Sequence, residues 1–313
     1  MGDRKLFRIG SDSVTELSPS HARFERGIQT LFEQHLEQLL GIRFLVTEYA
    51  TGANHGGRID TLGLDENNYP VIIEYKRQTN ENILSQVLFY FDWLINNKPE
   101  FQLLVQRRLG ADLANAIDWD GIRLVCIAGD YAKYDLHAVR HVNKNIEFVT
   151  YRHYGDLLLL DYVAGENGLK TGLQKSANMA SNSLASASDS DGDPYHQQSM
   201  EYRLSKADSR VRELFSAVDV RLRVLGDDVN LVKKKQYYAY KRIKNFACVE
   251  VYPSKGVTLF LRLSPSNYSM EPNFTRDVRE IGHYGTGDLE VIIRSEEDIE
   301  KAIPLFQAAY DNG

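Results

Sequence analysis

Two acids and a lysine occur close together in a segment whose other residues are mostly apolar. Asp60 stands before a turn-rich stretch, and Glu74 and Lys76 stand after it. If that turn is symmetric, with Leu64 facing Pro70, Asp60 lies directly across from Glu74, with Cβ atoms about 5 Å apart. Lys76 shares the face of Glu74 because side chains alternate along a strand. The spacing therefore predicts a facing pair of carboxylates with one ammonium group beside it.

This arrangement needs a further positive charge. Two like charges on a half-buried sheet repel each other, and apolar neighbours admit little water to screen them. One lysine balances only one of the two carboxylates. A divalent cation would remove the deficit, and Mg²⁺ suits two carboxylates together with a backbone carbonyl and water. The alternative is a solvated hairpin, because an acid and a lysine two residues apart also occur together by chance.

The periodicity of the sequence assigns the elements that position these residues. Apolar residues recur at helical spacing over 21–41 and end at Gly41, which predicts a first helix. The run 80–98 opens on Asn80 as a cap, is apolar on most faces and stops before Pro99, which predicts a largely buried helix. Three short strands between these helices are predicted at 43–49, 58–64 and 70–76.

The remaining elements mix helices and strands. Their order predicts an α/β first domain and a smaller α+β C-terminal domain. Before residue 166, helices are predicted at 99–117 and 132–143, and strands at 121–129, 146–154 and 156–163. After it, the predictions are a helix at 206–225, a hairpin at 245–265, a strand at 288–295 and a capped helix at 295–310.

The segment 166–204 separates these two parts. Small and polar residues dominate it, and they bury too little surface to offset the entropy of ordering the chain. A chain of 313 residues also exceeds what one hydrophobic core usually organises. We therefore predict a catalytic domain over 1–165, a flexible linker at 166–204 and an accessory domain over 205–313 that binds substrate or a partner.

The composition is that of a globular chain. It is 43% hydrophobic and 26% charged, and no apolar run approaches the roughly 20 residues that span a bilayer. The first residues lack the apolar stretch of a secretory signal, so we expect a cytoplasmic protein without membrane association. The formal net charge of -6 argues against indiscriminate coating of nucleic acid. It does not exclude a local basic groove beside an acidic metal site.

Asp60 followed by Glu74-Tyr75-Lys76 resembles the active-site signature of the PD-(D/E)XK nuclease superfamily. Ile59 stands where the nominal signature has proline, a position that varies widely in the superfamily. The resemblance extends over residues 20–163. It implies a restriction-endonuclease-like fold, an αβββαβ core in which helices flank a mixed central sheet.

The helix after the E-x-K strand adds to this resemblance. Gln86 and Tyr90 are four residues apart on one helical face, which is similar to the Q-x-x-x-Y motif of the RecB-like branch. The sequence of residues 56–77 also resembles bacterial relatives of the archaeal NucS-type nucleases. By this resemblance Gln86 and Tyr90 belong to the catalytic set. On so apolar a helix, they could equally be core polar groups whose hydrogen bonds are satisfied.

The resemblance implies a role for each residue of the signature. Asp60 and Glu74 would hold Mg²⁺ or Mn²⁺, the backbone carbonyl of Tyr75 would be a further ligand, and Lys76 would position or activate the attacking water. Glu33 matches the first-helix glutamate that some members add to the metal site. Glu33 also belongs to a stripe of polar residues along the first helix, and a solvated helix face would explain that stripe without any metal.

Several residues outside the signature could contact nucleic acid. The glycine-rich loop before Asp60 carries His55 and Arg58, and Arg77 leaves the E-x-K strand next to the expected metal. The second domain has a segment in which cations alternate with aromatics, a pattern that suits phosphates and bases but also a packed strand with one basic face. Its candidates are Lys233, Lys234, Lys235, Tyr237, Lys241 and Arg242.

These observations predict a metal-dependent deoxyribonuclease, most simply an endonuclease. The alternative is a catalytically inactive nuclease-fold module that binds DNA or protein. DNA is the expected partner and RNA is not excluded. A homodimer, and a protein partner for the C-terminal domain, also stay open. That domain resembles a domain of unknown function appended to such nucleases and sometimes labelled a transport protein, a label that no apolar segment supports.

Overall fold

The computed structural model describes residues 5–19, 25–76, 83–165 and 199–313 of the chain. The chain forms two compact units, Met1–Glu166 and Asn167–Gly313. The predicted cap Asn80, the phosphate-contact candidate Arg77 and most of the predicted linker lie outside the described residues.

A six-stranded mixed sheet forms the centre of the first unit, and its strands follow each other in the sheet as they do in the chain. The first three are antiparallel neighbours, the third to fifth run in parallel, and the last is antiparallel again. A separate hairpin, β1 (Leu6–Ile9) and β2 (Val14–Leu17), precedes the sheet. The sheet strands are β3 (Ile42–Ala50), β4 (Arg58–Asp65), β5 (Pro70–Lys76), β6 (Arg123–Ala128), β7 (Asn145–Tyr154) and β8 (Leu157–Gly165).

The described helices of this unit are α1 (Glu25–Gln34), α2 (Leu36–Leu40), α3 (Gly52–His55), α4 (Ile83–Asn96), α5 (Lys98–Leu109), α6 (Ala111–Asn115) and α7 (Lys133–Ala138). The first predicted helix is thus divided at His35 and ends at Gly41, whose φ of 65° is a left-handed conformation that glycine adopts without strain. Gly110, with a φ of 100°, separates α5 from α6 where the sequence predicts one helix.

Helices cover both faces of the sheet. On one face, Val87 of α4 belongs to the same buried cluster as Leu62 of β4 and Ile72 of β5. On the other face, Phe32 of α1 lies edge-on to Tyr75 of β5, with ring centroids 5.9 Å apart. Because β5 and β6 are parallel, the chain must cross over between them, and α4, α5 and α6 form that crossover.

Asp65 fixes the turn between β4 and β5. Its Oδ1 accepts hydrogen bonds from the backbone N–H groups of Asn67 at 2.8 Å and Tyr69 at 2.9 Å. Arg123 of β6 lies 3.2 Å from its Oδ2 and binds both carboxylate oxygens of Glu147 on β7, at 2.8 and 2.9 Å. The turn that sets the β4–β5 register is therefore anchored to the two strands beyond it.

The second unit has an antiparallel six-stranded sheet with two long helices packed in its main core. Its helices are α8 (Met200–Lys206), α9 (Ser209–Arg223) and α10 (Glu296–Asp311). Its strands are β9 (Asn230–Lys233), β10 (Tyr238–Lys241), β11 (Asn245–Tyr252), β12 (Gly256–Leu261), β13 (Thr275–Asp277) and β14 (Leu289–Ile293). Ser295 caps α10 in a reciprocal arrangement with Asp298, as the sequence predicts.

The second unit begins earlier than the predicted boundary at residue 205. Met200 is fully buried in its core, and the backbone N–H of Met200 donates to the carbonyl of Lys235. The short helix α8 therefore belongs to this unit and not to the linker, because Met200 is buried in this core and Leu204 packs against it. In the described part of the chain, no helix combines the length and hydropathy that a membrane crossing requires.

Candidate active site

Asp60 and Glu74 face each other where β4 and β5 separate. The ladder pairs Thr61 with Ile73, and the same register, continued by one residue, places Asp60 opposite Glu74. At this level the strands are joined through side chains. The N–H of Asp60 donates to Oε1 of Glu74 at 3.1 Å, and the N–H of Tyr75 donates to Oδ2 of Asp60 at 3.0 Å. Each carboxylate thus binds the backbone of the opposite strand, in the register that the symmetric turn predicts.

The surroundings of Glu74 disfavour its charge. The side chain is fully buried. Burial, and after it the charge of Asp60, raises the pKa of Glu74 from 4.5 to about 9, against the opposing effects of the Asp60 N–H and the Lys76 ammonium. Burial also raises the pKa of Asp60, although the hydrogen bond from Tyr75 opposes the shift. Without a cation between them, the two carboxylates are not both stable as anions.

Gln86 of α4 orients Glu74. Its Nε2 donates a 2.6 Å hydrogen bond to Oε2 of Glu74. The helix presents Gln86 to the sheet because its neighbours Ile83 and Val87 are buried in the core beside it. With the Asp60 N–H on one oxygen and Gln86 on the other, the orientation of Glu74 is fixed from both sides.

Tyr90 acts on the backbone and not on the carboxylates. Its hydroxyl accepts a hydrogen bond from the N–H of Arg58 at 3.1 Å, two residues before Asp60. It also packs on Gly57, where a Cβ atom would lie 2.7 Å from Cε1 of Tyr90. The Tyr90 hydroxyl is thus engaged where β4 begins, and a catalytic role for Tyr90 stays a prediction.

Lys76 lies beside the carboxylate pair. It follows Glu74 by two residues on β5, so the two side chains share a face. Its positive charge lowers the pKa of both Asp60 and Glu74, as expected of an ammonium group close to both. It is half-buried, and so it remains accessible from solvent.

The structure does not bring Glu33 to this pair. Its Oε1 accepts hydrogen bonds from Thr61 and from Gln29, the latter at 3.1 Å. Thr61 alternates with Asp60 along β4, so Glu33 lies on the opposite face of the sheet. Gln29 also donates to the backbone carbonyl of Asp60 at 3.0 Å and to Thr47 at 3.1 Å. The helix α1 therefore anchors the backbone of Asp60, which the sequence analysis missed.

The two nucleic-acid candidates of the loop before β4 contact other elements of the first unit. His55 stacks on Phe89 of α4 with ring centroids 3.9 Å apart, and its Nε2 lies 2.7 Å from the Phe89 carbonyl oxygen. Arg58 forms an ion pair with Glu48 of β3, a residue to which the sequence analysis gave no role. Both proposed phosphate contacts of this loop thus have protein partners.

Three of the six candidates for nucleic-acid contact in the second unit are engaged within the fold. Tyr237 and Lys241 are buried. Arg242 lies 2.7 Å from Asp228, donates to the Tyr310 carbonyl and stacks over the Tyr310 ring. The side chains of these three residues are therefore buried or paired within the unit. The alternation of cations and aromatics in the sequence does not reveal this. Among the remaining candidates, Lys233 and Lys235 are exposed and Lys234 is half-buried, and their contact with nucleic acid stays a prediction.

The carboxylate pair fits a divalent cation. Carboxylate oxygens are hard ligands, and each ionised group has about four acceptor positions, of which the hydrogen bonds above occupy one on Asp60 and two on Glu74. A bound cation would also lower the raised pKa of Glu74, because a nearby positive charge favours the ionised carboxylate. Among the described residues, no group of three or more acids, histidines or cysteines is arranged to hold a metal. The expected ligands stay the carboxylates of Asp60 and Glu74 and the backbone carbonyl of Tyr75.

Two sequence comparisons bear on the whole chain and on its second unit. Residues 200–313 match a family described as a domain of unknown function, DUF5655. An uncharacterized protein of Haemophilus influenzae is 24% identical over 307 residues, which cover 97% of this chain and 99% of the relative. The two chains therefore align over nearly their full lengths.

Two solved structures resemble part of the chain. A repair endonuclease from Pyrococcus abyssi matches with a TM-score of 0.28 and 16% identity, over 42% of this chain and 48% of that chain. An EndoMS complex with double-stranded DNA matches with a TM-score of 0.26 and 14% identity, over 47% of this chain and 64% of that chain. Each match spans less than two thirds of the solved chain. Scores this low carry no functional inference, so a function must rest on the side chains of this chain.

Proposed function

We propose that the first unit is a divalent-metal-dependent nuclease that hydrolyses phosphodiester bonds of DNA. The observation that carries the proposal is the pairing of Asp60 with a fully buried Glu74, beside Lys76. Facing carboxylates under apolar cover destabilise a fold, so a purely structural role does not account for them. Their residue types also match the PD-(D/E)XK signature that the sequence resembles.

The residues of this chain would divide the reaction between them. Asp60 and Glu74 would hold Mg²⁺ or Mn²⁺, with the Tyr75 carbonyl as a further ligand. When bound, such an ion supplies Lewis-acid catalysis and lowers the pKa of water. Lys76 would orient the attacking water and stabilise the negative charge that gathers on the phosphate oxygens.

A supporting set of residues would preserve this geometry. Gln86 fixes the orientation of Glu74, Tyr90 fixes the start of β4, and Gln29 fixes the backbone of Asp60. Such indirect contacts matter because small errors in the position of reacting groups are costly to catalysis. We propose Gln86, Tyr90 and Gln29 as positioning residues, because each acts through Glu74 or through the backbone of β4.

A cleavage assay with purified protein tests the proposal. Plasmid, linear and branched DNA, and RNA of the same sequence, are incubated with Mg²⁺ or Mn²⁺. We expect cleavage of DNA that is abolished in Asp60→Asn, Glu74→Gln and Lys76→Ala. Asp112→Asn, which changes an exposed acid of α6, is the matched control and should cleave like the original chain. DNA binding without cleavage in any metal would favour the alternative, a module that binds DNA but does not cut it.

A further inference from the structure

Glu48 lies on β3 directly beside the carboxylate pair. The β3–β4 register pairs Tyr49 with Ile59, so Glu48 stands at the level of Asp60. Its φ of 51° is a left-handed conformation that glutamate rarely adopts. Strain of this kind persists where surrounding contacts hold it, and it often accompanies function. The backbone of β3 therefore departs from regular strand geometry at Glu48.

The side chain of Glu48 is occupied by Arg58. The Arg58 Nε and the Glu48 Oε2 form an ion pair, and the two side chains are 65% and 38% exposed. Arg58 precedes Asp60 by two residues on β4, so it projects from the face that carries the carboxylate pair. A cation next to the proposed reaction centre is thus accessible but already bound to an acid.

Carboxylate and phosphate make the same demands on an arginine. A planar carboxylate and a tetrahedral phosphate each present a pair of negatively charged oxygens, which a guanidinium binds through charge-assisted hydrogen bonds. We propose that the Glu48 carboxylate occupies the position on Arg58 where a DNA phosphate binds. When substrate binds, the phosphate must displace Glu48 from Arg58. This inference deepens the proposed function and depends on it for the identity of the substrate.

The exchange has a consequence for selectivity. An exposed ion pair contributes little free energy, so a phosphate that arrives with others along a DNA strand can displace Glu48 easily. A free nucleotide or inorganic phosphate brings few other contacts to offset the displacement. Glu48 would therefore favour polymeric DNA over small phosphate compounds at this site.

A double-mutant cycle in DNA binding tests the exchange. Binding of labelled duplex and single-stranded oligonucleotides is measured by fluorescence anisotropy in Ca²⁺ buffer over a salt series, for Glu48→Gln, Arg58→Gln and the double variant. Glu48→Gln should tighten binding roughly two- to fivefold, the worth of one exposed ion pair. Arg58→Gln should weaken binding and reduce the salt slope on duplex DNA by about 0.9. The double variant should bind like Arg58→Gln alone.

Two controls separate the exchange from other causes. Asp112→Asn removes a negative charge from exposed α6 and should leave affinity unchanged. Glu48→Asn also removes the carboxylate while tolerating a positive φ, so it should reproduce the gain even if Glu48→Gln perturbs β3.

The inference is overturned if Glu48→Gln tightens binding equally with and without Arg58, because Glu48 would then repel DNA without involving the arginine. It is also overturned if neither Glu48 variant changes affinity, or if no variant and no original chain binds DNA. Binding is measured apart from cleavage, so a chain that binds as expected but never cuts DNA would refute the proposed nuclease and leave the exchange supported.

Discussion

Gln86 of α4 and Glu74 of β5 are joined by a 2.6 Å hydrogen bond from Nε2 to Oε2, so the helix behind the site orients one of its two carboxylates. The amide donates to a fully buried acid whose pKa is raised, first by burial and then by the charge of Asp60. This contact connects the Q-x-x-x-Y spacing of the sequence to the proposed chemistry.

Replacement of Gln86 should impair catalysis more than stability. Gln86→Ala is expected to lower kcat for DNA cleavage about 10- to 100-fold, as loss of a contact to a metal-ligating residue usually does. Gln102→Ala, on the exposed surface of α5, is the matched control and should retain full activity. An equal loss of activity in both variants, or none in either, would contradict the role given to Gln86.

The raised pKa of Glu74 predicts how stability depends on pH in the absence of metal. The folded chain keeps a proton on Glu74 that the unfolded chain releases, between the ordinary value of 4.5 and about 9. The free energy of unfolding in EDTA should therefore fall as pH rises through this window. Glu74→Gln cannot ionise and should lose less stability over the same range. Urea unfolding of both chains across the window measures the difference, and parallel curves would refute the assigned shift.

Glu33 should be dispensable for metal binding. Because its carboxylate accepts from Thr61 and Gln29 on the opposite face of the sheet, Glu33→Gln is expected to leave Mn²⁺ affinity unchanged. The weaker hydrogen bonds of the neutral amide should lower the free energy of unfolding by about 1 kcal/mol. Mn²⁺ titration and urea unfolding of Glu33→Gln, beside Asp60→Asn, measure both quantities. A loss of Mn²⁺ affinity as large as that of Asp60→Asn would restore Glu33 as a ligand.

The buried arginine of β6 should be among the most sensitive positions of the first unit. Arg123→Met leaves Asp65 and Glu147 buried without their cation, and it should lower the free energy of unfolding by about 3–5 kcal/mol. Arg8→Met, which removes the exposed pair with Asp156, should cost less than about 1 kcal/mol. Urea unfolding of the two variants compares them directly. Equal losses would show that the network does not hold the β4–β5 turn.

The facing arrangement of the two carboxylates could be predicted from the sequence, because turn length and side-chain alternation alone determine it. A short turn with alternating strands allows one register that buries the apolar set, and that register places Asp60 opposite Glu74. The four-residue spacing of Gln86 and Tyr90 likewise fixes a shared helical face. Both rules relate residues that are close in the sequence, so they can be applied without knowledge of the fold.

The residues that sequence reasoning missed depend on long-range packing. Whether Glu33 reaches the metal depends on which face of the sheet α1 covers, and no local pattern states that. Glu48 was missed because the register of β3 shifts between Phe44 and Val46, and because a positive φ at a glutamate leaves no trace in the sequence. The pairing of Arg242 with Asp228 is likewise not visible in the sequence, because Asp228 lies in a separate loop.

Calorimetric titration of the chain with Mn²⁺ tests the central claim most directly, since the facing carboxylates are held to bind one divalent cation together. We expect one ion per chain, with release of a proton from Glu74 at neutral pH. Binding should be lost in Asp60→Asn and in Glu74→Gln but retained in Asp112→Asn. Absence of Mn²⁺ uptake even with DNA present, or uptake that survives both substitutions in the pair, would contradict the account.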